Sequence, residues 1–76
     1  MINLEKLYDD EAYALKVLIG LIDKYVTDSE EKVNHIRMVA SFPGTIPGRK
    51  VGGIFHGFKI SECDQRIIQE IINIYG

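Results

Sequence analysis

Leucine, isoleucine and tyrosine recur at helical spacing through the first third of the chain, and this periodicity most constrains the fold. At about 100° per residue, eight of these side chains and one valine share one broad helical face: Leu4, Leu7, Tyr8, Leu15, Leu18, Ile19, Ile22, Tyr25 and Val26. Glu11 falls near the middle of that face, where burying a carboxylate is costly. The sequence therefore predicts a break, with a short helix at 4–8 and a second helix over 10–26 capped by Asp9. The alternative is a functional Glu11 in a pocket.

A second helical segment follows the first. Thr27 with Glu30, and Asp28 with Glu31, have the spacing of a capping box, so a helix is predicted from 27–29 to about residue 40. Pro and Gly at 43 and 44 end it. The residues expected to face inward are Val33, Ile36, Val39 and Ala40.

The last helix is predicted to begin at Ser61, which is a favourable N-cap, with Asp64 three residues on. Its apolar residues cover about half of the helix circumference and must be buried. They are Ile67, Ile68, Ile71, Ile72, Ile74 and Tyr75.

The segment between these helices, 41–60, holds both prolines and five of the seven glycines. Pro43-Gly44 and Pro47-Gly48 each fit the centre of a type II turn. Gly52-Gly53 fits a tight hairpin turn, which predicts a β-hairpin with arms near 46–51 and 54–60. The expected fold is therefore mainly α, with three to four helices and a small β-hairpin in one domain spanning 1–76.

The small size of the chain predicts self-association. A domain of 76 residues buries a marginal core of its own. Cys63 is the one cysteine, so no internal disulfide forms, and no Cys/His spacing indicates zinc. The longest uncharged apolar run is 17–22, whereas a membrane span needs about 20 residues. With no signal-peptide pattern and a lone thiol, the expected location is cytoplasmic.

Charge is distributed unevenly along the chain. Residues 1–31 hold eight acids and three bases, whereas 42–61 hold three bases and no acid. This Gly-rich basic segment predicts an anion site in which cations grip phosphate and glycine amides supply backbone donors. The residues expected to bind are Arg49, Lys50, His56, Lys59, Gly48, Gly52 and Gly53, with Tyr8 or Tyr13 stacking on a base. The spacing matches neither a Walker loop nor a dinucleotide fingerprint, and the plain alternatives are a turn-rich connection or a protein-docking loop.

Catalytic patterns are weak in this sequence. No Ser-His-Asp order or carboxylate pair stands out, and Cys63 fits a small buried residue on the apolar arc of the last helix better than a thiol nucleophile. The chain is therefore expected not to be an enzyme and to need neither a metal nor a cofactor.

The leading functional hypothesis is a small homo-oligomeric binding protein that holds a nucleotide or another phosphate-bearing molecule for sequestration or regulation. The short length of the chain and its content of Ile, Lys, Asn and Glu resemble those of small phage accessory proteins. A protein-binding inhibitor or regulatory subunit is the alternative, with an acidic first helix carrying Asp9, Asp10, Glu11 and Asp23. A winged-helix-like DNA-binding regulator is third, and the net charge of −2 argues against nucleic acid.

Overall fold

The computed structural model describes residues 3–40, 46 and 48–75, and within them the chain forms five helices and no strand. The helices are α1 (Leu4–Asp9), α2 (Glu11–Tyr25), α3 (Ser29–Ala40), α4 (Gly48–Ile54) and α5 (Glu62–Tyr75). The mainly α prediction is confirmed. The predicted hairpin is not seen, because residues 48–54, which were assigned to its first arm, its turn and the start of its second arm, are helical.

The predicted break in the first helical segment is confirmed, one residue later than expected. Asp10 has extended backbone and its carboxylate accepts a hydrogen bond from the Tyr13 amide at 3.1 Å, so Asp10 and not Asp9 caps α2. Glu11 becomes the first residue of α2, where its charge suits the positive end of the helix dipole. Tyr75 of α5 donates its hydroxyl to the carbonyl of Leu7 in α1 at 2.9 Å, which joins the two helices close to the break.

Helix α3 begins where the capping spacing predicts. The Asp28 carboxylate accepts the Glu31 amide at 2.9 Å. The predicted inward face is only partly correct, since Val39 is buried and Ile36 is half-buried, whereas Val33 and Ala40 are exposed. Because α3 packs chiefly against α2, only a narrow stripe of it is covered.

Helix α4 replaces the expected hairpin. Val51, Ile54 and Phe55 are buried at helical spacing, and α4 packs closely along α5. Gly52 lies beside α5, and a Cβ built there would make an ordinary van der Waals contact with Ile72 Cδ1 at 3.7 Å, so the packing of the two helices does not require glycine at this position. Burial of one helical face therefore outweighs the low helix propensity of Gly52 and Gly53. The predicted turns at 43–44 and 47–48 include residues outside the described ranges.

Helix α5 is the central element of the core. Ser61 caps it as predicted, accepting the Asp64 amide at 3.3 Å. Helices α1, α2 and α4 all pack against α5, with Ile67, Ile68 and Ile71 buried between them. The other fully or nearly fully buried residues are Leu7, Ala14, Leu18, Leu21, Ile22, Val26, Val39, Ile46, Val51, Ile54 and Phe55.

In the part of the chain that the structure describes, none of the helices has both the length and the apolar character that crossing a lipid bilayer requires.

Candidate functional site

The described part of the predicted anion segment is a short helix followed by an anchored turn. Phe55 is buried at the end of α4, and Phe58 and Ile60 pack partly against the core. Backbone hydrogen bonds from His56 to Gly53 (3.3 Å) and from Phe58 to Phe55 (3.2 Å) hold the turn. The turn is therefore tied to the core on both sides.

Two of the predicted cationic residues lie on the exposed side of this turn. His56 and Lys59 alternate with the anchoring aromatic and aliphatic residues, and both are exposed. Gly57 separates them with φ of 87°, a left-handed conformation that favours glycine. The turn consequently presents an imidazole and an ammonium group to solvent.

The other two predicted cations belong to the first turn of α4. Arg49 and Lys50 are helical in backbone, and their side chains lie outside the description. Gly48 begins the same helix. The predicted convergence of Arg49, Lys50 and Lys59 on one ligand, with His56 assisting, therefore stays a prediction.

The expected role of Gly52 and Gly53 as backbone donors stays a prediction, and their position inside α4 argues against it. Only the first few amides of a helix lack a partner in the helix itself, and these two glycines are the fifth and sixth residues of α4. Both are exposed, and a Cβ at Gly53 would meet open space. Of the three glycines predicted as donors, only Gly48 lies among the first residues of α4, whose amides lack a partner within the helix.

The two tyrosines predicted to stack on a base lie on α1 and α2, and the hydroxyl of each forms a hydrogen bond within the fold. Tyr8 donates its hydroxyl to Glu70 on α5, which raises the Tyr8 pKa. Tyr8 as a whole residue stays 58% exposed. Tyr13 is half-buried, accepts the Asn3 amide at 3.1 Å and lies under the Lys6 ammonium at 4.9 Å. Of the two, Tyr8 offers the more accessible aromatic surface.

A polar cluster that the sequence did not reveal joins the end of α2 to the start of α5. The Lys24 ammonium lies 2.8 Å from Asp64 Oδ2, and Tyr25 donates its hydroxyl to the same carboxylate. The Tyr25 oxygen also accepts the Ser61 amide at 3.3 Å. The Ser61–Asp64 spacing was visible in the sequence, but its contacts with α2 come from residues about 40 positions away, for which no local pattern exists.

This cluster of Lys24, Tyr25, Ser61 and Asp64 links α2 to α5, and we call it the α2–α5 clasp. The Lys24 ammonium and the Tyr25 hydroxyl hold the Asp64 pKa below its usual range, and Asp64 in turn raises the Lys24 pKa. The Asp64 side chain is 13% exposed, so its charge is stabilised chiefly by these partners. Since Asp64 is already bound as an acceptor and Ser61 caps α5, neither group is arranged to activate the other as a nucleophile.

The remaining chemical candidates are dispersed. Cys63 is exposed, so the prediction that it is a buried residue of the apolar arc is wrong. Across the described ranges, no group of three His, Cys, Asp or Glu side chains is placed to hold a metal ion.

The acidic side chains assigned to a protein-docking face are partly engaged within the fold. Asp10 caps α2, and Asp23 pairs with Lys32 at 3.3 Å. Asp9 is exposed and Glu11 is half-buried.

The chain matches no protein-family model, and it shows no significant similarity to a curated protein or to a solved structure. The physical features of the site are therefore the basis for any functional proposal.

Proposed function

We propose that this chain is a small non-enzymatic binding protein that holds an anionic, phosphate-bearing ligand with the cations of segment 43–59. The observation that carries the proposal is the anchored turn after α4, which presents His56 and Lys59 to solvent. No acid occurs in 42–61 to neutralise these groups locally. Lys59 forms no ion pair in the described structure, and an exposed ammonium without a paired acid is available to a phosphate group.

The proposed roles follow from the chemistry of each side chain. Arg49 would bind two phosphate oxygens through its planar guanidinium, and Lys50 and Lys59 would add compact positive charges. His56 would donate one further hydrogen bond from its ring. The exposed ring of Tyr8 would stack on a base if the ligand is a nucleotide.

A plain structural role for the same cations is the competing explanation. His56 and Lys59 follow the carboxyl end of α4, where the helix dipole favours positive charge. In that case the cations would stabilise α4 and would bind no ligand. Binding measurements separate the two explanations, because the dipole effect needs no ligand.

The test is isothermal titration calorimetry of the full chain with pyrophosphate, AMP and ATP. We expect binding to at least one of them, and we expect the double variant Arg49→Ala/Lys50→Ala to weaken it by about tenfold or more. A double variant with the same charge change on exposed residues of α2 and α5, Lys16→Ala/Arg66→Ala, is the matched control and should bind nearly as tightly.

Two outcomes of this titration would contradict the proposal. One is the absence of heat with all three ligands at millimolar concentration. The other is an equal loss of affinity in both double variants, which would show that only the net charge matters and that segment 43–59 has no special part.

The second candidate is a protein-binding regulatory subunit that docks through acidic residues of α1 and α2. Exposed Asp9 and Glu5 on α1 support it, since neither contributes a helix cap or an ion pair in the described fold. A pull-down at high salt distinguishes the candidates. A specific protein retained by the native chain and lost with Glu5→Gln/Asp9→Asn would favour docking.

A further inference from the structure

The outer face of α3 is exposed along most of its length. Val39 is buried against the rest of the molecule, and the helical period places Glu30, Val33, Asn34 and Arg37 on the opposite side. All four are exposed, and Val33 is 51% exposed, although it is an aliphatic residue. We call these four residues the α3 outer face.

The α3 outer face carries one acid at its amino end and one base at its carboxyl end, at equal distances from its centre. Glu30 and Arg37 are separated by seven residues, or about 10 Å along the helix, which is too far for an ion pair between them. Neither forms an ion pair elsewhere in the described structure. Val33 and Asn34 lie midway between these two opposite charges.

We infer that the α3 outer face is an interface with a second copy of this chain, in which two α3 helices pair antiparallel across a two-fold axis. In that arrangement Glu30 of each copy meets Arg37 of the other, and the two Val33 side chains cover each other near the axis. A two-fold axis requires such a self-complementary surface. A parallel pairing would instead place Glu30 against Glu30 and Arg37 against Arg37.

This inference gives a surface to the self-association that the sequence predicts, and it depends on residues outside the anion segment. Two helices that meet along one exposed face bury less than about 1,200 Å² in total, which is typical of weak complexes. We therefore expect a dimer that forms at high protein concentration and dissociates at high salt, because its ion pairs are exposed.

Charge reversal tests the geometry, with sedimentation-velocity ultracentrifugation of the full chain over a range of concentrations as the measurement. Glu30→Arg and Arg37→Glu should each raise the dimer dissociation constant by about tenfold or more, because each places like charges opposite one another. An equimolar mixture of the two single variants should associate again, since every contact in the mixed dimer joins opposite charges. The double variant Glu30→Arg/Arg37→Glu should also dimerise.

Control variants separate the interface from folding and from net charge. Arg66→Glu makes the same charge change on an exposed residue of α5 and should leave dimerisation unchanged. Both single reversals oppose the α3 dipole, so far-UV circular dichroism must show an unchanged helix content. If it falls, Glu30→Gln and Arg37→Gln replace them, and each should weaken the dimer by a smaller factor.

A wild-type chain that is monomeric at millimolar concentration and low salt overturns the inference. A dimer that is insensitive to Arg37→Glu, or single variants that fail to associate when mixed, also overturns it. Ligand binding measured on the same variants keeps the two proposals apart: a charge reversal on α3 that abolishes dimers and spares anion binding leaves the proposed function intact.

Discussion

The Tyr25 hydroxyl contacts both the N-cap and the first turn of α5. Among the side-chain hydrogen bonds that join two helices, we expect its removal to lower the free energy of unfolding most. The hydroxyl donates to Asp64 and accepts from the Ser61 amide. Tyr25→Phe should lower the free energy of unfolding by about 1–2 kcal/mol, since these partners lose a hydrogen bond in a partly covered site. Urea unfolding measures this change. Tyr8→Phe is the matched control, and because the Tyr8–Glu70 contact is exposed, a loss as large as that of Tyr25→Phe would contradict the account.

The lowered pKa of Asp64 predicts a stability effect on the acid side. A carboxylate with a depressed pKa in the folded state contributes stability above its ordinary pKa, and that contribution is lost as the pH falls through the depressed value. The stability difference between the wild type and Asp64→Asn should therefore be constant from about pH 5 to 8 and shrink below about pH 4. Urea unfolding at several pH values checks it. A stability difference between the wild type and Asp64→Asn that grows as the pH falls would have the opposite sign to this expectation. It would exclude the α2–α5 clasp as the cause of the difference.

Single residues explain which local features were predictable. Glu11 indicated the α1–α2 break because a carboxylate cannot remain in the middle of a buried face. Asp28 and Ser61 indicated helix starts because capping is a local interaction. Lys24 and Tyr25 gave no such signal, since their partner Asp64 is distant in sequence and close only after α2 and α5 pack together.

Helix α4 forms where a hairpin was predicted, because tertiary packing opposes the local sequence preference. The pair Gly52-Gly53 is typical of a turn, and its local preference opposes a helix. Val51 and Ile54 are buried on one side of α4, which packs along α5, and Phe55 is buried directly after it. This tertiary contribution has no counterpart in local propensity. The glycine that does adopt a left-handed turn is Gly57, just beyond the helix.

Two glycines near the anion segment should respond oppositely to alanine. Gly53→Ala replaces an exposed helical glycine with open space around the new methyl group, so stability should rise by up to about 1 kcal/mol. Gly57→Ala must adopt φ near 87°, which should cost about 1–2 kcal/mol. Thermal unfolding compares the two variants. Equal effects would mean that residues 48–57 do not form the helix and turn described here.

At the scale of the whole molecule, the sequence predicted the three long helices and the mainly helical core, because their apolar periodicity and caps are local. The candidate site was predicted less completely. Its cationic composition was visible in the sequence, but the exposure of His56 and Lys59 depends on Phe55 and Phe58 packing against distant helices. The sequence also held no sign that Gly52 and Gly53 lie inside α4, a position that argues against their predicted role as backbone donors.

Binding of a phosphate-bearing anion to segment 43–59 can be followed residue by residue in an NMR titration of the ¹⁵N-labelled full chain with pyrophosphate and ATP. We expect amide shift changes that saturate with ligand and concentrate between residues 46 and 59, with those of α3 nearly unchanged. Shift changes spread evenly over every exposed lysine and arginine, or none at millimolar ligand, would contradict it.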